Sequence, residues 1–414
     1  MNKITRFDCI IVGGGLSGLT TTLALSQIGL SVAIIDKTPI EPANSRDGDL
    51  RTTAISASGK KVFEALGIWD EVKTTAEPIL NICVSEKGSK GFLTFDHREA
   101  GLIPMGHIVE NIKLKNSLIS AIKNQKNITL LPNSGLKSFS SGTGHVRAHL
   151  DDKSFHTASL LIAADGRNSS AREMANIKST FVNYHQSSIV FTVAHTKPHN
   201  GIAYEQFLAG GPIAFLPMRG NQSSVVWSED TPVVDLLLEL SDGEFAAAAS
   251  YRLDDCLGKL TLTGKRRVFP LSLNYADTLI GDRFAMVGDA AHGLHPIAGQ
   301  GFNLGLRDVA NLVEEISRAR RLGLDIGSPE TLRSFQASRR LDNFSLVAAT
   351  DSLNRLFSNN NKVIRAIRHN GLTTVNSITP LKKIFMGHAM GTLGNLPNML
   401  QGRLPKTLRV STKT

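Results

Sequence analysis

Four short apolar runs, at residues 7–12, 31–35, 159–164 and 284–287, are spaced along the chain, and each ends at a glycine or an aspartate. Apolar runs of this length bounded by turn residues predict buried strands. A helical pattern follows the first and the last run, so the chain is expected to adopt an α/β fold. Open α/β sheets bind ligands beyond the carboxyl ends of their strands. The residues that follow each run are therefore the first candidates for chemistry.

The pattern changes between residues 181 and 270, where apolar and polar positions alternate, for example at 188–194 and 223–228. A period of two predicts strands with one buried face, and we expect a second, sheet-rich domain. After Leu332 the apolar spacing becomes helical. No run approaches the roughly eighteen uninterrupted apolar residues of a membrane span.

The first turn has the spacing of a dinucleotide site. Gly13, Gly15 and Gly18 fit G-x-G-x-x-G between a strand and a helix, and Asp36 ends the next strand 18 positions after Gly18 (36 minus 18). The start of the helix would receive a pyrophosphate, and the carboxylate would bond a ribose hydroxyl. This spacing suits either NAD or FAD.

Two further strand ends carry similar chemistry. Residues 159–164 end at Asp165, and Arg167 and Arg172 follow as natural phosphate partners. Residues 284–287 end at Gly288, which places the Asp289 carboxylate at the tip of the strand. Glycines and amides then lead into a helix whose positive amino terminus would favour a reduced, anionic flavin ring. These residues are Pro296, Gly299, Gln300, Gly301 and Asn303.

Residues 295–308, His-Pro-Ile-Ala-Gly-Gln-Gly-Phe-Asn-Leu-Gly-Leu-Arg-Asp, resemble the signature of the flavin-dependent ubiquinone-biosynthesis hydroxylases. These are a branch of the FAD-dependent aromatic-ring hydroxylases related to para-hydroxybenzoate hydroxylase, and residues 204–218 resemble the same branch. The resemblance implies FAD as the cofactor. It adds Arg51, against the flavin and pyrophosphate, and Asn111 as cofactor-binding residues, and it gives Asp165 contact with both FAD and NAD(P)H.

The resemblance also implies the domain boundaries and the substrate site. A Rossmann-type FAD-binding domain is expected in three parts, at residues 1–75, 101–180 and 273–335. Residues 181–272 form a β-sheet substrate domain, with residues 76–100 as its β insert, and residues 336–414 form a helical basic region. The apolar wall of the substrate pocket is assigned to Phe207, Phe215, Leu216 and Met218.

The implied reaction is a monooxygenation. NAD(P)H or another donor reduces FAD, oxygen adds to give a C4a-hydroperoxyflavin, and a hydroxyl group passes to the ring of a polyprenylated phenol in ubiquinone biosynthesis. Pro296 and Gly299 would border the face of the flavin where oxygen reacts. Tyr184, His185 and Tyr204 lie in the right domain to take the phenol proton, but no essential base is assigned.

Charge and cysteine usage limit the setting. Residues 352–414 hold five Lys, five Arg and no Asp or Glu, so the whole formal charge of +10 lies in this tail. A basic tail with interspersed apolar residues suits an anionic membrane surface. The three cysteines lack metal-ligand spacing, which indicates a reducing compartment and no metal site. We expect a cytoplasmic protein with peripheral contact on the inner face of the membrane.

Other functions fit less of the chain. An FAD-dependent isoprenoid reductase or cyclase would share the dinucleotide motifs, and incorporation of labelled oxygen would separate it from a hydroxylase. A scaffold in a quinone-synthesis assembly would not need the intact 288–308 segment. Halogenation is disfavoured because no W-x-W-x-I-P segment is present. Nucleic-acid binding is disfavoured because aromatic residues make up only 6% of the chain and no nucleic-acid module is recognised.

Overall fold

The computed structural model describes residues 6–43, 49, 51–86, 92–208, 210–253, 256–294, 299–357 and 378–406. Pro296 lies outside the described residues, as does much of the basic tail. The described strands are β1 (Arg6–Val12), β2 (Val32–Ile35), β3 (Thr52–Ser56), β4 (Glu77–Ile79), β5 (Asn81–Glu86), β6 (Phe92–Asp96), β7 (Gly106–Glu110), β8 (Ile128–Leu131), β9 (Leu136–Gly142), β10 (His145–Leu150), β11 (Phe155–Ala163), β12 (Ser179–His195), β13 (Ile202–Phe207), β14 (Ile213–Met218), β15 (Gln222–Asp230), β16 (Leu260–Leu262), β17 (Arg267–Ala276), β18 (Ile280–Gly281), β19 (Phe284–Met286) and β20 (His292–Gly293).

Helices surround the sheets and continue to the end of the described chain. Short 3₁₀ turns cover His97–Ala100, Gly288–Ala290 and Asn398–Gln401. The α-helices are α1 (Leu16–Gln27), α2 (Ala57–Ala65), α3 (Trp69–Val72), α4 (Asn111–Lys123), α5 (Ser170–Met174), α6 (Thr231–Glu239), α7 (Asp242–Arg252), α8 (Gly301–Arg321), α9 (Pro329–Phe357) and α10 (Thr379–Met390).

The first sheet carries the four predicted strands as neighbours. Its order is β18-β19-β11-β1-β2-β8, and β19, β11, β1, β2 and β8 run parallel. The hairpin of β9 and β10 extends it antiparallel along β11. Helices α1 and α8 cover the sheet with fully buried apolar residues, among them Leu19, Leu23, Leu312 and Val313. The four apolar runs read from the sequence are therefore confirmed as strands.

The second sheet is mainly antiparallel, in the order β20-β17-β12-β15-β14-β13-β5-β6, with β16 beside β12. Helices α6 and α7 cover one of its faces, where Trp227 and Phe245 are fully buried. Strands β3, β7 and β4 form a small third sheet. Within the expected insert at 76–100, strands β5 and β6 extend the second sheet, whereas β4 pairs with β7 in the third sheet. The predicted α/β class, sheet-rich second domain and helical C-terminal region are confirmed.

Candidate active site

The three motif-bearing strand ends meet at one edge of the first sheet. Strands β1, β11 and β19 are adjacent and parallel, so the residues that follow them emerge side by side. The amide of Ala164 bonds the carbonyl of Val12 at 2.8 Å, and the amide of Val287 bonds the carbonyl of Ala163 at 3.0 Å. Sheet pairing thus brings together segments that lie more than a hundred residues apart.

The first turn combines a tight approach with an open helix end. A Cβ at Gly18 would overlap the carbonyl oxygen of Gly13, so only glycine fits there. In contrast, a Cβ at Gly15 would meet no atom within 4 Å, and Gly15 caps the amino terminus of α1. The Asp36 carboxylate accepts the amide of Gly14 at 2.5 Å. The turn therefore leaves room for a phosphate at a helix end, with a carboxylate beside it.

Asp165 is the polar group of the second strand end, and it is only partly satisfied. One carboxylate oxygen accepts the amide of Ala171 at 3.1 Å, but the other is buried with no hydrogen-bond partner among the described residues. Buried carboxylate oxygens are normally bonded. The second oxygen is thus available to a ligand hydroxyl at the junction with the first turn.

The two arginines after Asp165 do not serve as phosphate ligands, contrary to expectation. The Arg172 side chain is buried, and its guanidinium donates to the carbonyl of Ala290 at 2.9 Å. Arg167 donates to the carbonyl oxygens of Ser272 and Leu294, at 3.1 and 3.0 Å. Both guanidiniums therefore bond backbone carbonyls of neighbouring segments. For the buried Arg172 this is required, because buried donors must find partners within the protein.

At the third strand end, Gly288 packs where two helices begin. It has φ of +64°, and a Cβ there would lie 2.7 Å from the Ser17 hydroxyl on α1. A Cβ at Gly305 on α8 would lie 3.1 Å from the Gly288 Cα. The amino ends of α1 and α8 consequently lie together around this turn, next to Asp289. A Cβ at Gly301, the first residue of α8, would meet nothing within 4 Å, so this second helix end is also open.

Arg51 belongs to a polar cluster at the start of β3. Its guanidinium bonds both carboxylate oxygens of Asp49, and it lies 5.3 Å from the centre of the Phe269 ring. The hydrogen bond to Asp49 raises the pKa of Arg51, and the charges of Asp49 and Asp289 add to that effect. Asn111 donates to Asp49 at 3.2 Å. Asp49 was not predicted from the sequence as part of this cluster, although an acid two positions before an arginine indicates a possible ion pair.

The Gly299–Asn303 turn is attached to β3 by Asn303. The Asn303 side chain is buried, its oxygen accepts the amide of Ser56 at 2.8 Å, and its nitrogen donates to the carbonyl of Ala54 at 2.8 Å. The side chain is thus fully used in holding the turn, so a cofactor contact at Asn303, which stays a prediction, would come from its backbone. Gln300 precedes α8 and lies next to α10, whose Ala389 carbonyl is 3.5 Å from its side-chain nitrogen.

The expected substrate wall is divided between the two faces of the second sheet. Leu216 and Met218 pack with Ala54, on the side of the third sheet and the Gly299 turn. Phe207 packs with Val84 on β5 and Leu93 on β6. Phe215 lies on the opposite face of β14, buried against α6 and α7. The prediction for Phe215 is therefore wrong, because neighbouring residues of a strand point to opposite faces.

The three tyrosine and histidine candidates are also separated by the fold. Tyr204 pairs with Phe215 and packs in the same core under α6 and α7, where burial raises its pKa. His185 is exposed, with φ of +57°, at an irregularity of β12. Tyr184 packs with Leu294, close to the third turn. Of the three, only Tyr184 borders the site.

A buried charged cluster behind the third turn was missed from the sequence. Asp308, fully buried on α8, accepts from His292 Nε2 at 2.5 Å, from Arg339 Nε at 2.8 Å and from the Gly288 amide at 3.0 Å. Burial acts to raise the pKa of Asp308, but the charges of His292 and Arg339 hold it below its usual value. The cluster links the third turn to α9. The sequence signal that could have predicted this cluster is a charged residue at a position on the inner side of α8.

A separate polar cavity of about 190 Å³ lies beyond this cluster, between α8, α9 and α10. Arg307 and Asp342 line it and form an ion pair at 3.0 Å. In the described part of the chain, no helix is long and apolar enough to cross a bilayer. Within the same residues, no group of three or more His, Cys, Asp or Glu side chains is placed to hold a metal ion.

Comparison with known proteins agrees with this geometry. The FAD binding domain family matches residues 6–345. The ubiquinone hydroxylase UbiL of Rhodospirillum rubrum is 42% identical over 386 residues, covering 93% of this chain and 90% of that protein. The 3-demethoxyubiquinol 3-hydroxylase of Escherichia coli K12 is 32% identical over 386 residues, covering 93% and 98%.

Solved structures share the fold at much lower identity. The p-nitrophenol 4-monooxygenase PnpA from Pseudomonas putida DLL-E4 superposes with a TM-score of 0.77 at 16% identity, covering 95% of this chain and 100% of that chain. The resemblance read from residues 204–218 and 295–308 is confirmed by the sequence relatives. The chain belongs to the FAD binding domain family and, within it, to the flavin-dependent ubiquinone hydroxylases, and it is a flavin-dependent monooxygenase.

Proposed function

We propose that this chain binds FAD across its three converging strand ends and hydroxylates the ring of a polyprenylated phenol or benzoquinol on the route to ubiquinone. The observation that supports this most is the meeting of two open helix amino termini, at Gly15 and Gly301, beside the apolar face of the second sheet. Such an arrangement suits a ligand with a charged diphosphate and a flat ring.

Each part of FAD has a suitable partner in this arrangement. The start of α1 would bind the diphosphate, and Asp36 would accept from a ribose hydroxyl. The unpartnered oxygen of Asp165 would take a second hydroxyl. We place Arg51 against the ring and diphosphate, with Asn111 positioning it through Asp49. The remaining proposed contacts come from Gly13, Gly18, Gly288, Asp289, Pro296, Gly299, Gln300 and Gly301.

Bound FAD would supply the activation of oxygen, which amino-acid side chains do not provide. The protein would then position the substrate and exclude water. The positive end of the α8 dipole would stabilise negative charge on the reduced ring. Phe207, Leu216 and Met218 would form the apolar wall that excludes water and holds the substrate ring.

Labelled dioxygen tests the reaction. The FAD-loaded protein would be given a prenylated phenol, NADH or NADPH and isotopically labelled oxygen, and the product would be examined by mass spectrometry. A hydroxylase incorporates one labelled oxygen atom into the ring. A reductase adds two hydrogen atoms and no label, and a cyclase leaves the mass unchanged. Either of these results would refute the proposal.

The electron donor and the location are further parts of the proposal. NAD(P)H is proposed to reduce the bound flavin directly, which anaerobic bleaching of the flavin's visible absorbance by NADH or NADPH would test. A prenylated phenol stays in the bilayer, so we propose that the protein lies in the cytoplasm and contacts the inner face of the membrane through its acid-free tail. Removing the residues after Pro380 should then weaken binding to anionic vesicles.

A further inference from the structure

Helix α10 is attached to a segment nearly three hundred residues earlier in the chain. The Lys382 ammonium lies 2.9 Å from the Glu99 carboxylate in the 3₁₀ turn His97–Ala100. One helical turn further on, Met386 packs against Met105, and Met390 joins the same cluster. The inner side of α10 is thus fixed to the turn by one ion pair and by flexible thioether side chains.

The outer side of this assembly exposes large apolar side chains. Ile384 and Phe385 on α10 are 58% and 49% exposed. Leu102 and Ile103, which directly follow the 3₁₀ turn, are 73% and 49% exposed. Leu102 also has φ of +65°, a conformation that is costly for leucine and persists only where its surroundings impose it. Two segments that are distant in sequence, and that contact each other through Lys382–Glu99 and Met105–Met386, therefore each expose apolar side chains to water.

We propose that residues 101–103 and the outer side of α10 together form a surface that docks on an anionic phospholipid leaflet. This inference rests on the proposed function, which requires access to a substrate dissolved in the bilayer. It extends that function by placing half of the contact in a segment far from the basic tail. Exposed apolar side chains beside cations are characteristic of proteins that lie on a membrane.

The charges of this surface are complementary to an anionic leaflet. Asp96 is paired with Arg98, and Glu99 with Lys382, so the acidic groups of the turn are neutralised. Lys383 is exposed on α10, directly before Ile384. Because residues 352–414 contain no acid, nothing in this stretch would repel anionic lipid. Each basic group near such a surface adds to the binding of an anionic leaflet.

An apolar connection leads inward from this surface. Ile82 packs with Met105 and Met386 beneath α10, and it also packs in the cluster that holds Leu216 and Met218. The methionine cluster beneath the docking surface and the proposed substrate wall thus share Ile82 as an apolar contact. An isoprenoid tail in the leaflet would meet this connection while its ring reaches the flavin side of the second sheet.

Vesicle binding by paired variants of the full-length, FAD-loaded protein tests the docking surface. The variants are L102D/I103D and I384D/F385D, and the matched control is L322D/L324D, whose side chains are 63% and 49% exposed. On phosphatidylglycerol vesicles we expect each docking pair to bind at least about tenfold more weakly than wild type, since apolar insertion is lost and negative charge is added. The control should bind like wild type.

Three results would overturn the inference: wild-type binding by both docking pairs, equal weakening by the control, or no vesicle binding by the wild type. A further outcome would also overturn the inference: a wild type that self-associates but does not bind vesicles, with self-association lost in the docking variants. The surface would then be assigned to a second copy of the chain. Turnover of a phenol without an isoprenoid tail separates the two proposals. The docking variants should retain it, whereas a wild type that fails to hydroxylate any phenol would refute the proposed function whatever the vesicles show.

Discussion

Replacing Asp308 by alanine is expected to be among the most damaging single changes near the three converging strand ends. The carboxylate is fully buried and accepts three hydrogen bonds, from His292, Arg339 and the Gly288 amide. Its removal leaves the buried Arg339 guanidinium without its partner on α8. It also frees the turn that places Asp289 beside the proposed flavin site.

The size of the effect follows from the burial of both partners. Removing one member of a buried ion pair costs about 3–5 kcal/mol when the other charge is left uncompensated. Arg339 keeps its ion pair with Asp342 at 2.5 Å, which places the loss of the Asp308 contact at the lower end of this range. The unsatisfied amide of Gly288 adds about 1–3 kcal/mol if it cannot relax toward water. These costs are not additive, so we expect a loss of about 3–5 kcal/mol in the free energy of unfolding. A typical domain is stable by only about 5–15 kcal/mol.

Urea unfolding of the FAD-saturated protein measures the loss directly, with D277A as the control, because Asp277 is an exposed acid whose removal should change stability by less than about 0.5 kcal/mol. The double variant D308A/R339M should cost less than the sum of its single variants, because it removes both buried charges. D308A should also release FAD faster than wild type. An unfolding free energy within about 1 kcal/mol of wild type would refute this account of the cluster.

Three other predictions follow from the same geometry. Gly15→Ala should leave stability nearly unchanged, because a Cβ there meets no protein atom, but it should weaken FAD binding by occupying the space proposed for the diphosphate. Gly18→Ala should instead destabilise the fold by about 1–3 kcal/mol, because its Cβ would overlap the backbone. Equal effects of the two variants on stability and on FAD affinity would contradict this. Phe215→Ala should cost about 3–5 kcal/mol of stability, measured by urea unfolding. Leu216→Ala should mainly raise KM for a prenylated phenol, measured by steady-state kinetics. A larger KM effect for Phe215→Ala than for Leu216→Ala would contradict the assignment of the two faces. Burial, aided by the charge of Lys60, lowers the pKa of His107 from 6.5 to about 4. Since the unfolded chain then binds a proton that the folded chain does not, stability should fall by up to about 3 kcal/mol as the pH drops through this range, and His107→Gln should lack that loss.

The sequence by itself determined the features that depend on local pattern. Apolar runs of four to six residues that end at glycine or aspartate were enough to place β1, β2, β11 and β19. The glycine spacing before α1 predicted a dinucleotide site, because the turn and the helix start are set by neighbouring residues. The start of α8 at Gly301 was readable for the same reason.

Tertiary structure decided which side of each element faces the site. Strand β14 is apolar at every position, so its sequence carries no alternation from which the two faces could be predicted. Only its pairing with β13 and β15 and the packing of α6 and α7 placed Phe215 under these helices and Leu216 on the side of the third sheet. The cluster around Asp308 and the contact of α10 with residues 97–105 likewise join distant segments. Such contacts arise when the chain closes on itself, and local sequence does not specify them.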